Sequence, residues 1–256
     1  MSGFFKTIGK LGAAISQALF PGEFKCIVCA AELNADCKFS VCPECRKDFI
    51  FNDKFCAVCG VYMEDEAEFC QTCKDGPRVF ESARSACVYD GTARDAVISL
   101  KNGNGWLAKE LARIMAARFP YPDINFDGCF AIPLDKKRLC ERGFNQSILI
   151  ARELCRLLSK NGQGTGGVDR PVTYIDGLIK IKPTEKQSLL SAKERAENVK
   201  GAFALSPSCP PLKEKTLLLI DDVFTTGSTV SECVSVLLKG GAKAAYVYTF
   251  AAGKGK

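Results

Sequence analysis

Two adjacent carboxylates, Asp221 and Asp222, close an apolar run and lead through Val223-Phe224 into a hydroxyl-rich loop, Thr225-Thr226-Gly227-Ser228-Thr229. The run Thr216 to Ile220 predicts a central parallel strand covered on both faces. Val230 to Leu238 predicts a helix directly after the loop, stopped by Gly240-Gly241. Acids at the carboxyl edge of a parallel sheet lie where α/β folds bind ligands. Adjacent acids suit the two cis hydroxyls of a ribose, directly or through a divalent ion. The loop and the helix N-terminus supply a nest of backbone amides for a phosphate, and Gly227 lets the backbone approach closely. The segment therefore predicts a cradle for a ribose 5-phosphate ligand. Other phosphate loops do not fit: no GxxxxGK(S/T) is present, and Gly103-Asn104-Gly105 is a partial GxGxxG that reads as a turn.

The second group of reactive residues is a ladder of CxxC pairs: Cys26 and Cys29, Cys42 and Cys45, Cys56 and Cys59, Cys70 and Cys73. Two thiolates spaced by two residues chelate one metal from a tight turn, and two such turns complete the tetrahedron that zinc prefers. Four turns make two sites. The short spacings favour sequential pairing, with an interleaved pairing as the alternative; an iron–sulfur cluster would use the same four thiolates. A four-cysteine site is coordinatively closed, so the metal is structural. It lets about 50 residues fold that have too little apolar core of their own. Cys37 falls outside the ladder. Cys87, Cys129, Cys140, Cys155, Cys209 and Cys233 read as core.

The chain has no histidine, which excludes Ser-His-Asp and Cys-His catalysis and every imidazole zinc site. Any chemistry rests on carboxylates, Lys, Arg, backbone amides or a metal. The net charge of +6 is mild and permits an anionic partner without requiring one. The first 22 residues carry Phe4, Phe5, Ile8, Leu11, Ile15 and Leu19 at helical spacing. They predict an amphipathic helix, either docked on the body of the protein or associating with a membrane or partner. No run approaches the roughly 18 apolar residues of a membrane span, and a cytoplasmic location with reduced thiols is expected.

The elements that must position these groups follow from periodicity. Residues 1–22 form the amphipathic lead, 23–78 a double zinc ribbon, and 79–256 an α/β domain of alternating strands and helices. Strands are predicted at Ser85 to Tyr89, Cys129 to Ile132, Leu178 to Ile181 and Ala244 to Phe250. Helices are predicted at Thr92 to Lys101, Leu107 to Phe119, Asn145 to Leu158 and Lys193 to Val199, with a flexible loop over 159–168.

These segments resemble the ComF family. Asp221 to Thr229 is similar to the phosphoribosyl pyrophosphate motif of type I phosphoribosyltransferases. Ala131-Ile132-Pro133-Leu134, Arg138 and Glu141-Arg142-Gly143-Phe144-Asn145-Gln146 resemble the ComF block, as do Leu100-Lys101 with Gly103, Thr184 with Gln187, and Arg195, Asn198, Val199, Gly201 and Phe203. Asn102 departs from the pattern, standing where the family often has an aromatic residue. The resemblance implies a type I phosphoribosyltransferase-like parallel sheet flanked by helices beside a small zinc ribbon domain. It implies phosphoribosyl pyrophosphate binding with magnesium, and leaves open transfer to an unknown acceptor.

On that footing Asp221 and Asp222 orient the ribose and help carry magnesium, while Thr225, Thr226, Gly227, Ser228 and Thr229 hold the 5′-phosphate. Arg138 and Arg142 are the candidate cations for pyrophosphate, since a fork donor suits phosphate oxygens; Lys101 ranks below them. Thr184, Gln187 and Arg195 belong to a flap or to a surface helix cap. Family members in competence act in uptake of transforming DNA, which raises the alternative of a non-enzymatic module handling single-stranded DNA with competence or helicase proteins. Phe39, Phe49, Phe51, Phe55 and Tyr62 lie among few clustered cations, so residue content alone says little for DNA.

Overall fold

The structure is a computed structural model that describes residues 25–33, 41–65, 67–161, 171–184 and 192–255. The amphipathic lead, Cys37, Phe39, most of the 159–168 loop and Gln187 lie outside the described residues. The chain divides into two compact units, one ending at Phe49 and the other running from Ile50.

In the first unit, a turn at Cys26–Cys29 is closed by the bridge Lys25↔Glu32. A short helix follows, α1 (Pro43–Lys47), started by Cys42 and by proline in its first turn.

The second unit begins with the other cysteine turns and α2 (Gln71–Lys74). It continues through β1 (Ser82–Val88), α3 (Gly91–Lys101), α4 (Leu107–Ala117), β2 (Gly128–Ala131), α5 (Lys136–Arg142) and α6 (Gln146–Asn161). Then come β3 (Leu178–Lys180), α7 (Ala192–Val199), β4 (Phe203–Leu205), β5 (Thr216–Phe224), α8 (Ser228–Lys239) and β6 (Ala244–Ala252). Four strands form a parallel sheet in the order β1-β6-β5-β2.

The central β5 is buried as its apolar run requires: Leu217, Leu218, Leu219 and Ile220 are all fully covered. Successive side chains take opposite faces. Leu217, Leu219 and Val247 join Val230, Val234 and Leu237 of α8 in one core. On the other face the Tyr248 hydroxyl donates to the Met115 carbonyl of α4 at 2.9 Å, and α4 packs on α6.

The second cysteine segment lies along the outer edge of β1. Asn52 N–H donates to the Ala86 carbonyl at 3.1 Å, and Val88 N–H to the Ile50 carbonyl at 2.9 Å. The exposed sheet edge is thereby covered. At the far side β3 and β4 form a separate antiparallel pair. The strand expected at Leu178 to Ile181 is thus half of a two-stranded antiparallel ribbon, its partner lying beyond α7 in the chain, and stands outside the parallel sheet. Besides the short helices α1 and α2 of the cysteine segments, two elements of the α/β region are not foreshadowed by periodicity: β4, only three residues long, and α5, which has no buried residue and hence no apolar stripe to announce it. Cys140 on α5 is exposed and so is not core, whereas Cys209 is half-buried and packs against the core. Among the described residues no helix is long and apolar enough to cross a membrane.

Candidate functional site

The sulfurs of Cys26, Cys29, Cys42 and Cys45 lie within 4.8 Å of one another, and so do those of Cys56, Cys59, Cys70 and Cys73. The pairing is sequential. Sulfurs about 2.3 Å from a zinc stand about 3.8 Å apart along a tetrahedron edge. Cys29 and Cys42 are 3.7 Å apart, and Cys59 and Cys70 are 3.6 Å apart. Backbone amides point at the sulfurs: Cys42 N–H donates to Cys26 Sγ and Cys70 N–H to Cys56 Sγ, each at 3.3 Å. Burial pushes both acceptor thiols up, but the amide donors outweigh it and bring Cys26 and Cys56 to about 7. Thiolates are favoured where a metal needs them. Both clusters fit structural zinc ribbons.

A cavity of about 330 Å³ opens at the carboxyl ends of β2 and β5, lined among others by Tyr89, Lys101, Arg138, Arg142, Lys180, Asp221, Asp222, Thr225 and Thr229. Asp221 and Asp222 are still strand in conformation, and the strand runs on through Val223 and Phe224 before the loop begins. Lys101, in the last turn of α3, places Nζ 2.5 Å from Asp222 Oδ2; the aspartate side chain is 6% exposed and the lysine 28%. Burial alone would raise the Asp222 carboxyl, yet the ammonium beside it holds it below the usual carboxylate range. Burial and the neighbouring Asp222 charge push Asp221 well above that range. Ser147 Oγ donates to Asp221 Oδ1 at 2.8 Å. The pair is therefore asymmetric: Asp222 faces the Lys101 ammonium and Asp221 the Ser147 hydroxyl.

The loop that follows turns on Gly227, whose φ of 78° is the left-handed region, and α8 starts at Ser228. Thr226 Oγ1 and Ser228 Oγ are 3.0 Å apart. Residues Thr225 to Thr229 line a small cleft of about 40 Å³ at the helix N-terminus.

The cations expected from the sequence arrive by a short helix. Asp135 caps α5 by accepting the Arg138 N–H at 2.9 Å. Its other oxygen faces Arg138 Nε at 3.7 Å and Lys180 Nζ at 3.4 Å. Burial pushes the Asp135 carboxyl up, but the Arg138 amide and the Lys180 charge outweigh it and hold it low. Lys180 Nζ also donates to Thr184 Oγ1 at 2.7 Å, and both residues line the cavity. Arg142 Nη1 donates to Gln146 Oε1 at 3.0 Å. Asn145 anchors the segment, donating to the Ile132 carbonyl at 3.0 Å and accepting the Ser147 N–H at 2.9 Å.

Residues 15–74 match the double zinc ribbon domain family. Competence protein F of Haemophilus influenzae is 28% identical over 236 residues, covering 90% of this chain and 97% of the relative. Competence protein ComFC of Bacillus subtilis is 27% identical over 245 residues, covering 88% and 92%. These relatives, together with the double zinc ribbon match, support a ComF family assignment. Among solved structures, a hypoxanthine phosphoribosyltransferase from Staphylococcus aureus is 12% identical at a TM-score of 0.32, covering 56% of this chain and 61% of that one.

In this chain the cavity gathers Lys101, Arg138, Arg142, Asp221, Asp222, Thr225 and Thr229, while Thr226, Gly227 and Ser228 line the adjoining cleft. The ranking of the cations changes. Lys101, placed below the two arginines, is the one in ion contact with the acid pair. Arg138 and Arg142 engage Asp135 and Gln146. The sequence reading missed Ser147, Lys180, Asp135 and Tyr89. Ser147 follows the quoted ComF block directly and Asp135 opens α5, but neither stands out by residue type. Lys180 and Tyr89 reach the cavity only because their strands end there.

Proposed function

We propose that the cavity binds phosphoribosyl pyrophosphate as its magnesium complex and that the protein transfers the phosphoribosyl group to an acceptor nucleophile. The observation that carries this reading is the meeting, in one cavity, of the Asp221–Asp222 pair, the Thr225–Thr229 loop and the cations Lys101, Arg138 and Arg142. Acids for ribose hydroxyls, a nest for the 5′-phosphate and guanidinium forks for pyrophosphate are the parts such a ligand needs.

In transfer, the bond from C1′ to the pyrophosphate oxygen breaks, the electron pair leaves with pyrophosphate, and the acceptor bonds to C1′. Positive charge grows on the ribose carbon, so positioning and charge neutralisation do most of the work. Asp221 and Asp222 are the residues that would hold magnesium, which when bound neutralises pyrophosphate oxygens. Lys101 keeps Asp222 charged before ligand arrives, and Ser147 orients Asp221. A cytoplasmic location belongs to the same reading, since it keeps the eight cluster thiols reduced.

Calorimetry with phosphoribosyl pyrophosphate and magnesium tests the pocket. Binding by the wild type and its loss in Asp222→Ala is the expected result; no binding, or unchanged binding in the variant, rejects the assignment. Pyrophosphate release across a panel of bases and amines tests the transfer.

A second reading, a module handling single-stranded DNA with competence or helicase proteins, draws on the relatives' names and on one feature of the surface. Arg84 stacks over exposed Phe55 at 4.7 Å, and Arg118 over Phe51 at 4.5 Å. Guanidinium and aromatic planes of this kind are sequence-tolerant platforms for bases. Salt-dependent binding of a labelled oligonucleotide that weakens in Arg84→Ala, together with ligand binding but no pyrophosphate release for any acceptor, favours this reading.

A further inference from the structure

The second ribbon reaches the loop that the proposed 5′-phosphate would occupy. Arg78 lies just beyond Cys73, and its Nη1 donates to the Thr226 carbonyl at 3.3 Å. Its Nε is buried and has no hydrogen-bond partner among the described residues. Buried donors without acceptors are rare, so this arginine is poorly explained by its own packing and better explained by what it holds. A trans peptide points its C=O and N–H in opposite directions. Fixing the Thr226 carbonyl toward Arg78 therefore turns the Gly227 N–H the other way, at the residue whose φ of 78° starts α8.

A second path runs through the core. Phe80 meets Phe224 edge-on with ring centroids 6.2 Å apart. The Phe224 ring lies directly under the loop, so that a Cβ added at Gly227 would stand 2.6 Å from its Cζ. Phe80 and Phe224 share one cluster with Cys56, Cys59 and Cys70. The cysteine turn is also fastened to the sheet: Ala83 N–H donates to the Val58 carbonyl at 2.9 Å. A metal that holds Cys56, Cys59, Cys70 and Cys73 thus also holds the segment that ends in Arg78 and Phe80.

We infer that Arg78 is a positioning residue for the phosphate loop, and that the second four-cysteine cluster, by fixing the segment that carries it, governs whether the loop is formed. The inference rests on the proposed reading of Thr225–Thr229 as a 5′-phosphate site. It makes the second zinc ribbon part of the ligand site's framework.

The test uses the full zinc-loaded chain with Arg78→Ala and Arg78→Lys. Three measurements are made: calorimetry with ribose 5-phosphate, amide hydrogen exchange at 225–229 without ligand, and zinc content. Arg78→Ala keeps its zinc, exchanges faster at 225–229 and binds ribose 5-phosphate about tenfold more weakly, the scale of a charged hydrogen bond. Arg78→Lys, which keeps a charged donor, recovers part of both. Cys73→Ser quickens exchange at 225–229 and Cys45→Ser does not; if Cys73→Ser fails to fold, Arg78→Ala decides alone. Wild-type affinity and exchange in Arg78→Ala would overturn the inference. If the wild type does not bind ribose 5-phosphate, the cradle reading fails, and the exchange comparison still decides whether Arg78 positions the loop.

Discussion

The two four-cysteine clusters have the same ligands and nearly the same local geometry, yet they stand in different structural contexts. In the first, Cys29 is exposed and the unit ends at Phe49. In the second, Cys56, Cys59 and Cys70 are buried in the core that also holds Phe224 and the strands of the sheet. The residue after the first turn of each cluster shows the contrast at one position. Ala30 and Gly60 both adopt left-handed φ, 58° and 69°. At Gly60 a Cβ would lie 2.4 Å from the Ala83 carbonyl oxygen, because the turn is pressed onto β1. There glycine is required by packing as well as by φ. At Ala30, which is exposed, a side chain is present and only the backbone strain remains. The same ligand set can therefore belong to a small unit in one place and be built into the core of the α/β unit in another.

The sharpest way to break this comparison is to remove one sulfur from each cluster. Structural zinc is worth on the order of 10 kcal/mol of folding free energy. Cys70→Ser should abolish the main cooperative unfolding transition in calorimetry, whereas Cys45→Ser should leave that transition in place while metal analysis shows one zinc fewer. Equal effects of the two variants would remove the distinction.

The ligand site is next. Asp222→Asn takes the charge partner from Lys101 and should weaken binding of phosphoribosyl pyrophosphate with magnesium about a hundredfold, near 2.7 kcal/mol. Zinc content should not change, which separates the cradle from the metal that supports it.

Gly60→Ala should cost about 1 kcal/mol from left-handed strain, with the closer contact to the Ala83 carbonyl adding to it, and should lower the melting temperature of the larger unit. The smallest effect is the reverse change in the other cluster. Ala30→Gly relieves left-handed strain of about 1 kcal/mol and should slow zinc loss from the first cluster to a chelator, with the main transition unmoved.

The chemistry of both sites was legible because it is local. CxxC spacing brings two thiolates onto one turn, and an apolar run ending in two acids and a hydroxyl-rich loop marks a strand, its carboxyl end and a helix start. The burial of β5 and the position of α8 followed from the same run. What escaped was polar and short. Helix α5 buries nothing, so no periodicity reveals it, although it carries Arg138 and Arg142. Strand β4 has three residues, too few for alternation to show.

By itself, the sequence determined the ligand sets, the identity of the acid pair and its loop, and the alternation of strand and helix, all of which depend on neighbours within a few residues. Tertiary structure alone decided that Lys101 from α3 and Ser147 from α6 meet the acids of β5, that Asp135 and Lys180 pair across the cavity rim, and that Arg78 reaches Thr226. The physical reason is that these contacts join residues far apart in the chain. Their partners are chosen by sheet order and helix packing, and single residue types of lysine, serine or arginine carry no local signal of where the fold will bring them.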